Sequence, residues 1–229
     1  AWAALGLLDL NEIAVLPEDG RRSRLFCDAL SAWTAVAETE RKNNFSGSDL
    51  LASTKPVAST GQMMLILTEI MGLAPQDAAG ALRLPVAEAI GLAKTARTEL
   101  EQGVTGRVLI IEDEPLIAEG VAMLVESLGV EVVAMARSRD QAVALAAKHQ
   151  PDVVLADFDL GGGGTGLDAV KQISSEMPAV AIFITAFPDE VLTGEDYEPT
   201  FVLAKPYRER ALITALAYSL KAPRAELVE

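Results

Sequence analysis

The run Val108-Leu109-Ile110-Ile111-Glu112-Asp113-Glu114-Pro115 decides the fold. Four aliphatic residues in a row, closed by three acids and a proline, read as a short strand buried on both faces that stops at a polar edge. Four more short runs follow it: Glu131–Met135, Val153–Ala156, Val180–Ile184 and Phe201–Ala204. Helical patterns lie between them at 115–128, 139–149, 166–176 and 207–220. The stretch 187–199 holds two prolines and a glycine and supports only a short helix or an ordered loop. Strands alternating with helices predict a doubly wound, flavodoxin-like α/β domain of five parallel strands. Sites in such a sheet form at the carboxyl ends of the strands.

Working back toward the start, the texture changes at Gly103-Val104-Thr105-Gly106. Before it, no segment reads as a buried strand. We expect an all-α domain over 1–103 and the α/β domain over 104–229. A helix is expected near 20–38, and a polar linker over 41–59 with one helical turn at Asp49–Ala52. Helices are then expected at Gln62–Met71, Pro75–Leu82 and Pro85–Gln102, with both prolines in first turns. Short helix, tight turn and longer helix make a helix-turn-helix shape. The first residue is Ala1 and not a methionine, so part of the natural N-terminus is expected to be missing.

Composition narrows the function. The 229 residues carry 19 Lys/Arg against 33 Asp/Glu, a net charge of −14. Phosphate-gripping proteins are usually basic, so this balance argues against a nucleic-acid binder. Residues 1–103 hold 9 Lys/Arg against 13 Asp/Glu, and residues 104–229 hold 10 against 20. The excess acid therefore belongs mostly to the α/β half. One cysteine, Cys27, excludes a disulfide framework, and one histidine, His149, excludes a multi-histidine metal site. No apolar run is long enough to span a bilayer and no signal peptide is visible, so a cytoplasmic protein is expected.

The strand ends carry the chemistry. In a parallel sheet Glu112, Asp113, Asp157, Thr185 and Lys205 fall on one edge. Three carboxylates in one pocket repel, and one takes up a proton unless cations are present. A Mg²⁺ ion and the Lys205 ammonium offset them. Mg²⁺ prefers octahedral oxygen coordination with one or two carboxylates, waters and a phosphoryl oxygen. Asp113 and Asp157 are the expected direct ligands, Glu112 an outer one through water, and the Asp159 main-chain carbonyl a further oxygen. A carboxylate can act as a nucleophile and form an aspartyl-phosphate. Metal and lysine then stabilise the transferring phosphoryl group, and Thr185 can hydrogen-bond one of its oxygens.

This pattern closely resembles a two-component receiver domain over about 106–221. The resemblance implies Asp157 as phosphoacceptor, Glu112 and Asp113 as the acidic pair, Thr185 as switch hydroxyl and Lys205 as the receiver lysine. It also implies a sensor histidine kinase as phosphodonor and at most weak autodephosphorylation, not a metabolic enzyme. Many receivers place an aromatic three residues before the lysine. Val202 stands there in this chain, and Phe201 is one off, on the opposite strand face.

Segment 60–102 resembles the DNA-binding region four of extracytoplasmic-function sigma factors, through Leu73-Ala74-Pro75-Gln76-Asp77-Ala78-Ala79-Gly80-Ala81-Leu82-Arg83-Leu84-Pro85-Val86. Residues 1–40 resemble part of region two, through Arg24-Leu25-Phe26 and Trp33. A reading helix needs Arg, Lys, Asn or Gln at its N-terminal end. This one offers Val86, Ala87, Glu88 and Ala89, with Lys94 and Arg97 late. The shape of a DNA reader is kept without its chemistry. A sigma-like module ahead of a receiver, with Phe183-Ile184-Thr185-Ala186-Phe187-Pro188-Asp189-Glu190 and Glu198-Pro199-Thr200-Phe201, is similar to the PhyR family of general stress response regulators. That resemblance implies an anti-anti-sigma factor. Phosphorylation frees the sigma-like domain to bind an anti-sigma factor of the NepR type, and a sigma factor is released. The rival expectation is a DNA-binding transcriptional response regulator.

Four other signals are discounted. Gly161–Gly164 lacks the lysine of a P-loop and reads as a flexible loop. His149 ends a helix, where a partly charged imidazole suits the dipole. Cys27 and the methionines Met63, Met64 and Met71 read as core.

Overall fold

The computed structural model describes residues 59–162, 164–191 and 199–221. The expected helix near 20–38, the region-two resemblance, Cys27 and nearly all of the 41–59 linker lie outside them. The chain divides into two compact units, Ala1–Thr98 and Glu99–Glu229.

In the first unit, α1 (Thr60–Leu65) begins at Ser59, whose hydroxyl accepts from the Gln62 N–H while the Gln62 side chain accepts from the Ser59 N–H. That reciprocal cap satisfies two donors a helix start leaves open. A π-helical turn, Ile66–Ile70, continues it. Then come α2 (Pro75–Ala81), opened by Pro75, and α3 (Val86–Glu101). The Pro85 carbonyl accepts from Ala89, so this proline precedes α3 and does not sit in its first turn. Ala89, Ala93, Ala96 and Leu100 form the buried stripe of α3 at helical spacing. Met64 is buried, as expected of a core methionine. Arg97 pairs with Glu69 across the unit.

The second unit opens with the last turn of α3. Lys221 Nζ donates to the carbonyls of Glu99 and Gln102, and Arg210 pairs with Glu101 at 2.5 Å. A lysine on C-terminal carbonyls satisfies acceptors the helix leaves open. These bonds explain why the division falls before Gly103. The unit continues as β1 (Arg107–Ile111), α4 (Pro115–Ser127), β2 (Glu131–Ala136), α5 (Arg139–His149), β3 (Val153–Ala156), α6 (Gly166–Glu176), β4 (Val180–Thr185), α7 (Pro188–Val191), β5 (Phe201–Ala204) and α8 (Glu209–Lys221). The weak stretch thus holds the short helix α7, and 192–198 lie outside the description.

All five strands are parallel, in the order β2-β1-β3-β4-β5. The chain order reverses between β1 and β3, and a crevice opens there at the carboxyl ends. Every residue of β3 is buried, and β1 and β4 are buried beyond their first residue, which is why they read as unbroken apolar runs. One face packs Leu109, Ile111, Val154, Ala156 and Phe183 with α5 and α6, and Val202 lies against that cluster. Phe201 faces the other way, edge-on to Tyr218 of α8 at 5.7 Å. Among the described residues, no helix is long and apolar enough to cross a membrane.

Candidate functional site: an acidic pocket closed by a lysine

The sheet edge is held by main-chain bonds that continue the ladder. Asp157 N–H donates to the Ile111 carbonyl, Glu112 N–H to Ala136, and Lys205 N–H to Thr185. The last residues of five strands are thereby brought into line. Lys205, preceding a cis peptide to Pro206, reaches back over the edge. Its Nζ lies 2.6 Å from Asp157 Oδ2 and 3.0 Å from Glu112 Oε2. Asp157 Oδ1 accepts from the Phe158 N–H at 2.6 Å. Glu112 Oε1 accepts from the Glu114 N–H at 3.4 Å.

Glu112, Asp157 and Lys205 thus form one hydrogen-bonded group. Asp113 stands at the rim beside Gly161, where a Cβ would lie 2.6 Å from Asp113 Oδ2. Gly161 also has φ +56°, so only glycine suits this approach. Thr185 is fully buried, and its hydroxyl oxygen accepts from the Phe187 N–H at 3.0 Å. Asp159 pairs with Thr165 in an antiparallel bridge. Beside it the Gly166 N–H donates to the Phe158 carbonyl at 2.8 Å.

Burial raises the Glu112 pKa above the ordinary carboxylate value, against the lowering pull of Lys205; the neighbouring Asp157 adds to the rise. Burial would lower the Lys205 pKa, but its hydrogen bonds to Asp157 and Glu112 outweigh this and hold it above the ordinary lysine value. Tyr207, next after Pro206, is raised chiefly by burial. Among the described residues, no three acidic, His or Cys groups already enclose a metal position. The donor set still fits Mg²⁺: oxygens only, and three carboxylates against one ammonium, one of them buried and reluctant to ionise.

A raised Glu112 pKa means that the folded chain binds this proton more tightly than the unfolded chain. Its contribution to stability therefore falls as pH rises above about 4.3 through the folded value. In metal-free buffer, Glu112→Gln should unfold at a higher temperature than the parent at pH 7. The gap should narrow toward pH 4, as the carboxyl takes up its proton in the folded state and then in the unfolded one. Thermal melts at the two pH values check this; a parent more stable than the variant at pH 7 would reverse the sign.

Sequence reading missed Phe158, Phe187 and Gly166. The ring centroids of Phe158 and Phe187 lie 6.4 Å apart. A signal was present: in a chain with six phenylalanines, one directly follows Asp157 and one lies two residues after Thr185. In the helical unit, the first turn of α3 exposes Val86, Ala87 and Glu88, with no donor for a base edge among them.

Residues 108–217 match the response regulator receiver domain family. The chain is 33% identical over 207 residues to the phyllosphere-induced regulator PhyR of Methylorubrum extorquens, covering 88% of this chain and 78% of that one. The crystal structure of the response regulator PhyR from Brucella abortus superposes with a TM-score of 0.74 at 34% identity, over 96% of this chain and 81% of that one. That of the anti-anti-sigma factor PhyR from Bartonella quintana gives 0.72 at 30%, over 96% and 83%. With its receiver match and a relative aligned over most of both lengths, the chain belongs to the PhyR family of stress response regulators.

Proposed function

We propose that this chain is a phosphorylation-controlled anti-anti-sigma factor of the general stress response. Its receiver takes a phosphoryl group on Asp157 from the phosphohistidine of a sensor histidine kinase. An Asp157 oxygen forms the new bond to phosphorus as the phosphorus–nitrogen bond breaks, and the imidazole leaves. The observation that carries this reading is the Lys205 ammonium bridging Asp157 and Glu112 at the carboxyl edge of the parallel sheet. Asp113, Asp157 and the Asp159 carbonyl would hold Mg²⁺, with Glu112 behind a water. The ion supplies positive charge for the phosphoryl oxygens. Lys205 Nζ, 2.6 Å from Asp157 Oδ2, holds that carboxylate in place as the nucleophile. It then offers its ammonium to the group that arrives. Thr185 turns its hydroxyl to the same group.

Phosphorylation frees the sigma-like unit to sequester an anti-sigma factor of the NepR type, as the family resemblance implies. A sigma factor is then released to RNA polymerase. Such a chain acts in the cytoplasm, and it receives and loses a phosphoryl group without turning over a metabolite. Phosphorylation adds charge and strong acceptor oxygens, which bias a two-state protein only if the states bind them differently. Beryllium fluoride with Mg²⁺, a phosphoryl stand-in, should tighten binding of the anti-sigma factor by about tenfold or more, equivalent to at least about 1.4 kcal/mol. Isothermal titration with and without the stand-in measures it, and equal affinities would sink the proposal.

A further inference from the structure

β5 gives Thr185 no aromatic partner on its inner face, because Val202 stands there and Phe201 is turned toward Tyr218. Two rings flank the pocket instead. Phe158 and Phe187 meet at 6.4 Å with an interplanar angle of 58°, inside the roughly 4.5–7 Å range of attractive tilted pairs. Each is tied to a site side chain by its own main-chain N–H: Phe158 to Asp157 Oδ1 at 2.6 Å, Phe187 to Thr185 Oγ1 at 3.0 Å. Phe158 packs on the core cluster that includes Ala156, Leu160 and Val191, while Phe187 is 46% exposed. One ring is anchored on the core and the other is half-exposed. The Phe187 carbonyl accepts from Glu190 N–H at 3.2 Å, so α7 travels with it.

We propose that Phe158 and Phe187 are the positioning pair that couples the state of Asp157 to the loop after β4, replacing the missing aromatic of β5. This rests on Asp157 being the phosphoacceptor. The Thr185 side chain has discrete staggered positions. In the present one, its oxygen holds the Phe187 N–H. Turning the hydroxyl toward a phosphoryl oxygen carries that acceptor away, and an N–H stripped of its partner is costly unless its segment moves. At the other end, esterifying an Asp157 oxygen drains the negative charge that holds the Phe158 N–H. Both disturbances arrive at one ring contact. The pair makes them a single event instead of two independent ones.

The test uses the full chain with saturating beryllium fluoride and Mg²⁺, read by amide resonances in two places. Amides 157–159 report that the stand-in is bound, and the amides of 186–191, Pro188 having none, report transmission. In the parent both sets should shift. In Phe158→Leu and in Phe187→Leu the 186–191 shifts should fall by about threefold or more at full occupancy, and the double variant should lose no more than either single one. Phe158→Tyr, which keeps a ring, should restore the parent response. A merely structural role would lower the melting temperature without this split between the two amide sets. Parent-sized 186–191 shifts in the Leu variants overturn the proposal, and so do additive losses in the double variant. If Phe158→Leu does not fold, the half-exposed Phe187→Leu carries the test by itself. A parent whose 157–159 amides ignore the stand-in refutes the Asp157 assignment and the pair with it, which separates that failure from a failed relay.

Discussion

Asp157→Ala, incubated with Mg²⁺ and a small-molecule phosphodonor, should take up phosphoryl group at below about one hundredth of the parent level, because the proposed nucleophile is removed. No neighbouring acid is placed to substitute. Glu112 is 4% exposed and held by Lys205, and burial makes it reluctant to ionise. Asp113 stands across the rim against Gly161. The fold should survive the change, since Lys205 keeps its 3.0 Å bond to Glu112 and leaves no buried ion alone. Intact-mass spectrometry counts the phosphoryl group, and a melting curve confirms folding. The variant's affinity for the anti-sigma factor should be indifferent to the phosphodonor. A folded variant that still gains affinity on adding the donor would place the acceptor elsewhere.

The second large effect is on stability. A Cβ at Gly166 would lie 1.8 Å from the Asp157 carbonyl oxygen and 2.9 Å from its carbonyl carbon. Neither atom can yield, because both belong to the backbone at the end of β3. Gly166→Ala must push α6 off the sheet and break the Gly166-to-Phe158 bond of 2.8 Å. Overpacking against a flexible side chain costs about 1–3 kcal/mol, and against fixed backbone more. We expect a loss of about 3 kcal/mol or more and a drop in melting temperature on the order of 10 °C. Gly120→Ala, inside α4 with nothing within 4 Å of the new atom, should go the other way by roughly 0.5–1 kcal/mol. Chemical denaturation of both variants decides it; a Gly166→Ala chain as stable as the parent would mean that α6 does not approach Asp157 so closely.

The sheet was readable because its middle strands are buried on both faces. Val108–Ile111, Val153–Ala156 and Val180–Ile184 then have no polar residue to interrupt them, and their abrupt acidic or hydroxyl ends mark the edge. Order along that edge follows from parallel pairing, so bringing Asp157, Glu112 and Lys205 together needed no coordinates. What could not be read depends on side-chain direction. Asp113 follows Glu112 directly, yet one stands at Gly161 and the other binds Lys205. Composition does not separate them. The π-helical turn at Ile66–Ile70 differs from its flanks by one position of hydrogen bonding, which leaves no mark on residue choice. The Phe158–Phe187 contact joins two loops, and loop geometry follows from packing, not from periodicity. The Asp159–Thr165 bridge likewise leaves no mark on periodicity, and the Thr165 hydroxyl caps α6.

Lys205 and Glu112 stand 93 positions apart along the chain and 3.0 Å apart in space. During synthesis the acids of the pocket are made long before its cation. A partly made receiver, with β1 and β3 in place and β5 still to come, carries Asp157 without the ammonium that completes the site. Pairing so distant in sequence also forms late in folding, since closing long loops is slow. On the proposed mechanism, the nascent protein is deaf to the kinase until its last strand docks. Stress can be announced only by a finished molecule, and a chain truncated before β5 would titrate no signal away from its intact neighbours.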